Sequence, residues 1–131
     1  MALELPMDGG DRSGVAENDL SAKQFYAVEL TGAGLQVDAC DNAGDRVYGI
    51  LQNKPVAGSA ATVRRYGITK WVSDGSGTPI TVGAYVGTNA TGKCVVKSSA
   101  GNFVAGVALS PSSADGTIID VDLTPNAVLH A

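Results

Sequence analysis

Histidine, aromatic groups and clustered positive charge are all scarce in this chain of 131 residues. The one histidine, His130, sits next to the C-terminus, so there is no histidine set for zinc and no Ser-His-Asp or Cys-His arrangement on ordered elements. Aromatics make up 5% of the residues, too few and too scattered to form a stacking platform for sugars or bases. A net charge of -4 and a pI near 4.7 argue against a nucleic-acid surface, because neutralising phosphates takes grouped lysines and arginines. The single adjacent basic pair, Arg64 and Arg65, would point to opposite faces of a strand. No apolar run is long enough for a membrane-spanning helix, and a basic start followed by an apolar stretch is missing. Production in a cytoplasm, with no membrane partner, is the resulting expectation. Cys40 and Cys94 lack the close spacing of a metal or redox motif. They read as free, small, partly buried side chains, a disulfide between them being the alternative that a reducing compartment disfavours.

Two stretches imitate ligand motifs and fail on spacing. Asp41, Asn42, Gly44 and Asp45 suggest a calcium loop, but the EF-hand intervals and distal Glu are absent, which leaves an Asx turn. Gly92-Lys93 lacks the earlier glycine, the following Ser or Thr and the helix of a phosphate loop. Asp120 and Asp122 share a strand face and read as its polar exterior rather than as an acid/base pair. No catalytic residue, metal or cofactor is therefore expected.

What the chain does contain is 17 glycines and 44% hydrophobic residues, the composition of many short strands joined by tight turns. In Ala100 to Leu123, Phe103, Ala105, Val107 and Leu109 alternate along one segment, and Ile119, Val121 and Leu123 along the next, with turn residues Ser110 to Gly116 between them. This unit occurs twice. AGDRVYGI at 43–50 matches AGNFVAGV at 100–107; Val28, Gly34 and Val37 match Val86, Gly92 and Val95; and Thr62 to Arg65 matches Asp120 to Leu123. A chain rich in Gly, Ala and Val also matches itself by chance, which is the competing explanation. Residues 25–66 and 83–123 are thus expected to be two strand-hairpin-strand units, divided at the turn-rich SDGSGTP of 73–79. The expected strands of the first unit are Phe25 to Leu30 with Tyr26, Val28 and Leu30 on one face, Leu35 to Ala39, Arg46 to Gln52 and Ala60 to Tyr66. Gly67 is expected to make a bulge or bend before Ile68 to Val72.

The expected fold is all-β, a small β-barrel or β-sandwich built from these two units, with an extended N-terminal arm. Residues 1–23 hold few large apolar groups and read either as a frayed terminus or as an arm ordered by a partner. Leu3, Leu5 and Met7 are its apolar contact residues. Residues 24–124 form the single β domain. Residues 125–131 are a tail, with Pro125 ending strand pairing. Tyr66 and the lone Trp71 are placed near a subunit contact, although a core position for Trp71 fits as well.

Four segments in order carry a family resemblance: AVELTGAGLQVDA, GILQNKPVAGSAATVRRYG, ITVGAYVGTNATGKCVV and AGVALSPSSADGTIIDVDL. Over about residues 25–124 the chain resembles the capsid cement, or head decoration, proteins of tailed bacteriophages. The most telling features are I-T-x-G-x-x-V followed by A-T-G-K, and the closing G-V-A, turn, G-T and alternating Val/Asp/Leu strand. The resemblance implies a compact all-β protein that sits as an oligomer, a trimer favoured, outside the expanded head and clamps neighbouring major capsid proteins. It implies a virion location and no catalytic residues. Two alternatives stand beside it: a tail, baseplate or fibre-associated structural protein, and a carbohydrate-binding β-sandwich module.

Overall fold

The computed structural model describes residues 10–128, which form ten strands and, among these residues, no α-helix. In order they are β1 Asp11–Ala16, β2 Ala27–Gly32, β3 Gln36–Ala39, β4 Gly49–Leu51, β5 Ala60–Arg64, β6 Gly67–Asp74, β7 Tyr85–Thr88, β8 Cys94–Val96, β9 Phe103–Ala108 and β10 Asp115–Val128. They close into two barrels with the strand orders β1-β3-β2-β4-β5 and β6-β8-β7-β9-β10. The all-β expectation holds, and the internal repeat is real at the level of topology.

The two halves correspond in detail. Val15 of β1 lies parallel to Gln36 of β3, and Ser73 of β6 lies parallel to Cys94 of β8; each residue of the second pair is 58 positions beyond its counterpart. Gly49 and Gly106 are a second matched pair. A Cβ on Gly49 would run into the Arg64 carbonyl and the Val63 side chain, and one on Gly106 into the Asp122 carbonyl and the Val121 side chain. Each barrel therefore needs glycine where its fourth strand presses on its fifth.

Closure by a parallel strand is what moves the boundaries drawn from the sequence. Residues 11–16, expected in the arm, are β1, paired to β5 on one side and β3 on the other. Ala16 and Leu20 are buried in the first barrel. Pairing on both edges, rather than bulky apolar groups, orders this segment, so low apolar content misled. The division between copies falls at Arg65–Tyr66 instead of 73–79, because β6 opens the second barrel. Gly67, at φ +91°, makes the crossover. Pro125 does not end pairing either: β10 continues to Val128 past a register shift between Leu123 and Ala127, where a proline without an N–H is tolerated.

Small side chains fill the first barrel: Ala16, Leu20, Val28, Val37, Leu51, Ala61 and Val63. The second core is larger and shared. Trp71, Val86, Cys94, Ile119 and Val121 of the second barrel pack with Ala27, Cys40, Val47 and Ile50 from the outside of the first. Two expected faces differ from this. Leu30 is exposed instead of buried beside Val28, and along β9 Val104 and Ala108 are buried while Val107 is half-exposed and Leu109 exposed. β9 reads Phe-Val-Ala-Gly-Val-Ala, with small residues on both faces, so side-chain size does not mark the inner one.

The Gly92 carbonyl locks the barrels together. It accepts the Ala27 N–H at 2.8 Å and the buried Trp71 indole Nε1–H at 3.0 Å, while Val72 N–H donates to the Phe25 carbonyl nearby. Asn89 holds this turn through its Oδ1, which accepts from the N–H groups of Thr91 and Lys93. Gly92 has φ +84°, and a Cβ there would lie 3.1 Å from the Ala27 carbonyl oxygen; at Gly34, the matching position with φ +73°, a Cβ meets open space. Gly92→Ala is expected to destabilise the protein by more than Gly34→Ala in urea unfolding, the latter costing about 1–2 kcal/mol from positive φ alone. Equal losses would mean that the Ala27 contact is unimportant.

Candidate functional site

The cleft with the richest chemistry, about 490 Å³, lies on the first barrel, lined by Glu29, Leu30, Arg46, Val47, Tyr48 and Arg65. β2 supplies Glu29 and Leu30, the segment before β4 supplies the next three, and Arg65 comes from the crossover. Arg65 is fixed by two contacts with one residue: its Nε–H donates to the Tyr48 backbone carbonyl at 2.9 Å, and its guanidinium stacks 4.2 Å from the Tyr48 ring centre. Arg46 stacks 4.8 Å from the ring of Phe103 in β9, tying the cleft wall to the second barrel. Neither arginine has a salt-bridge partner among the described residues.

An acidic group adjoins the cleft. The turn at Asp41 to Asp45 is the expected Asx turn: Asp45 Oδ2 accepts the N–H groups of Asp41 and Asn42 at 3.0 Å, and Asn42 Oδ1 accepts that of Gly44 at 2.9 Å. The fold then brings Glu29 to it, so that carboxylate oxygens of Glu29, Asp41 and Asp45 lie within 4.8 Å of one another. Among the described residues this is the carboxylate group whose geometry suits a shared cation; the turn was visible in the sequence, but Glu29, 12 positions before it, was not linked to it. Burial, followed by the Asp45 and Asp41 charges, raises the Glu29 pKa to about 7. The cluster relieves its own repulsion by holding a proton.

Both cysteines are free and buried, and burial pushes both thiols well above their ordinary pKa, with Glu29 adding to the shift at Cys40. Protonated thiols are weak nucleophiles.

The residues expected at contacts fare differently. Leu3, Leu5 and Met7 lie outside the described residues, as does His130. Tyr66 is 39% exposed, beside the point where the chain enters β1: the Arg65 N–H donates to the Gly10 carbonyl at 2.7 Å. Trp71 is 0% exposed and its indole is spent on Gly92, so it presents nothing to another subunit. Alternation along β6 puts Thr69, Trp71 and Ser73 inside the barrel and Ile68 and Lys70 outside. Asp120 and Asp122 are on the exterior, as the alternation predicts.

Comparison with known proteins gives a family and a shared fold. The family model described as phage cement protein matches residues 33–123. Among solved structures, the N base of the head fiber gp8.5 of bacteriophage phi29 superposes with a TM-score of 0.64 at 15% identity, covering 92% of this chain and 98% of that one. At that identity the likeness is one of fold. No curated protein sequence matches the chain.

Glu29 makes stability depend on pH with a defined sign. The folded state holds this proton up to about pH 7, whereas the unfolded chain releases it near 4.5, so the native state binds more protons in that window and its stability falls as pH rises through it. Discounted for partial exposure, the loss is about 1 kcal/mol. Glu29→Gln is expected to flatten the dependence measured by urea unfolding between pH 4.5 and 8; an unchanged slope would assign it to other groups.

Proposed function

The chain belongs to the phage cement protein family, and from that premise we propose that this phage structural protein binds the outside of the expanded capsid and clamps neighbouring major capsid proteins. The family match over residues 33–123, which runs from β3 to β10 and so through both barrels, carries the reading. The physical form of the molecule supports it. Two closed barrels leave no long unpaired strand edge, and a shared core makes them one rigid body able to span two neighbours. An acidic exterior suits an outer surface more than a DNA-lined interior.

The mechanism is one of linkage rather than catalysis, and no enzymatic role is assigned. A protein with affinity for the expanded lattice alone shifts the shell toward that state with every copy bound. Repetition around a symmetry axis lets individually weak contacts add, which favours a homo-oligomer. Leu3, Leu5 and Met7 of the N-terminal segment, together with the exposed Tyr66, are the residues assigned to the capsid contact. A fibre-associated role is the second reading, favoured by the fold shared with the gp8.5 N base.

Co-sedimentation with stripped shells tests the proposal. Saturable binding to expanded shells, none to unexpanded ones, and a higher shell melting temperature are expected; binding without added shell stability favours the fibre reading, and no binding removes both. Removing residues 1–9 is expected to weaken binding by at least tenfold while leaving the fold intact. Removing residues 1–20 is expected to unfold the first barrel, since it deletes β1, as circular dichroism will report.

A further inference from the structure

Three ion pairs hold surface charges of the described residues in place: Arg64–Asp11, Lys70–Asp120 and Lys93–Asp115. Three other charges have no such partner there, although each is set among apolar groups. Arg46 and Arg65 flank the cleft beside Leu30, Val47 and Tyr48, with Glu29 as its one acidic lining residue. Asp122 lies on the outer face of the second barrel, in a row that crosses four strands: it pairs with Ile68 of β6 and with Val107 of β9, and Val107 pairs in turn with Tyr85 of β7.

This row has the composition of an interface rather than of a solvated exterior. Ile68 is 61% exposed and Tyr85 54%, with one carboxylate between apolar side chains on a strip about 14 Å wide at ordinary strand spacing. The cleft shows the reverse pattern, a concave apolar floor between two guanidiniums already held rigid by aromatic rings. Rigid arginines lose little freedom when they take a carboxylate, and they grip it through two parallel donors.

We infer that the strip Ile68–Asp122–Val107–Tyr85 of one copy seats on the Arg46/Arg65 cleft of a second copy, with the Asp122 carboxylate received by Arg65. The inference rests on the reading above of the chain as a homo-oligomer, and it assigns the two surfaces that meet. The contact joins different surfaces of the two molecules, a largely apolar strip with one carboxylate against a cleft with two guanidiniums beside Glu29. Tyr85 and Ile68 provide apolar area on either side of the charge pair, which is the arrangement that excludes water from a central contact.

The test is the mass of the full-length protein in solution by size exclusion with light scattering. Wild type is expected to run as a multiple of the 13.2 kDa chain at tens of micromolar, Arg65→Asp and Asp122→Arg each at one chain, and the double variant Arg65→Asp/Asp122→Arg again as the multiple. Restoration by the double variant separates lost pairing from misfolding of a single variant. A monomeric wild type, single variants that assemble like wild type, or a double variant that stays monomeric overturns the inference. Shell co-sedimentation is independent of it: a wild-type protein that assembles through these surfaces but does not sediment with shells leaves the interface standing and removes the capsid reading.

Discussion

The structure depends on one carbonyl group. Gly92 O receives a backbone N–H from the first barrel and the indole N–H from the interior of the second, and it does so from a left-handed turn that only glycine enters without strain. A buried indole N–H left unpaired costs about 1–3 kcal/mol, so Trp71 can fill the shared core only because Gly92 meets it. The A-T-G-K segment is therefore a docking device. Its glycine makes the turn, its lysine reaches Asp115 across the barrel, and Asn89 just before it caps the loop.

Seen this way, the rarity of aromatic residues is a geometric requirement. A five-stranded barrel has room for little inside it, and the first is filled with alanine, valine and leucine. The one tryptophan occupies the space that exists because two barrels lean together. The exterior of the first barrel accordingly carries apolar groups at Ala27, Cys40, Val47 and Ile50, where a solitary barrel would carry polar ones.

The repeat was legible because matching glycines mark matching backbone constraints. Gly34 and Gly92 stand at the same turn, and Gly49 and Gly106 at the same close approach of strands. β1 was not legible, and β6, legible as a strand from Ile68 to Val72, was not legible as the opening of the second repeat. β1 and β6 pair in parallel with strands about twenty residues away, and β1 buries few side chains, so hydrophobic alternation has little to register. The alternation that placed Asp120 and Asp122 outside did not declare that Ile68, Val107 and Tyr85 stand in line with Asp122, since that row exists only across strands. The Glu29 cluster was hidden for the same reason, its members being joined by a hairpin rather than by spacing.

The shared core also has a consequence for synthesis. All strands of the first barrel have been synthesised once Arg64 is made, yet after they emerge the apolar exterior at Ala27, Val47 and Ile50 stays bare until β6 to β10 follow. During that interval the nascent chain presents an adhesive surface in a crowded compartment, where many copies of a virion protein are made at once. The pace at which the second half is translated thus sets how long each copy is open to capture by its neighbours.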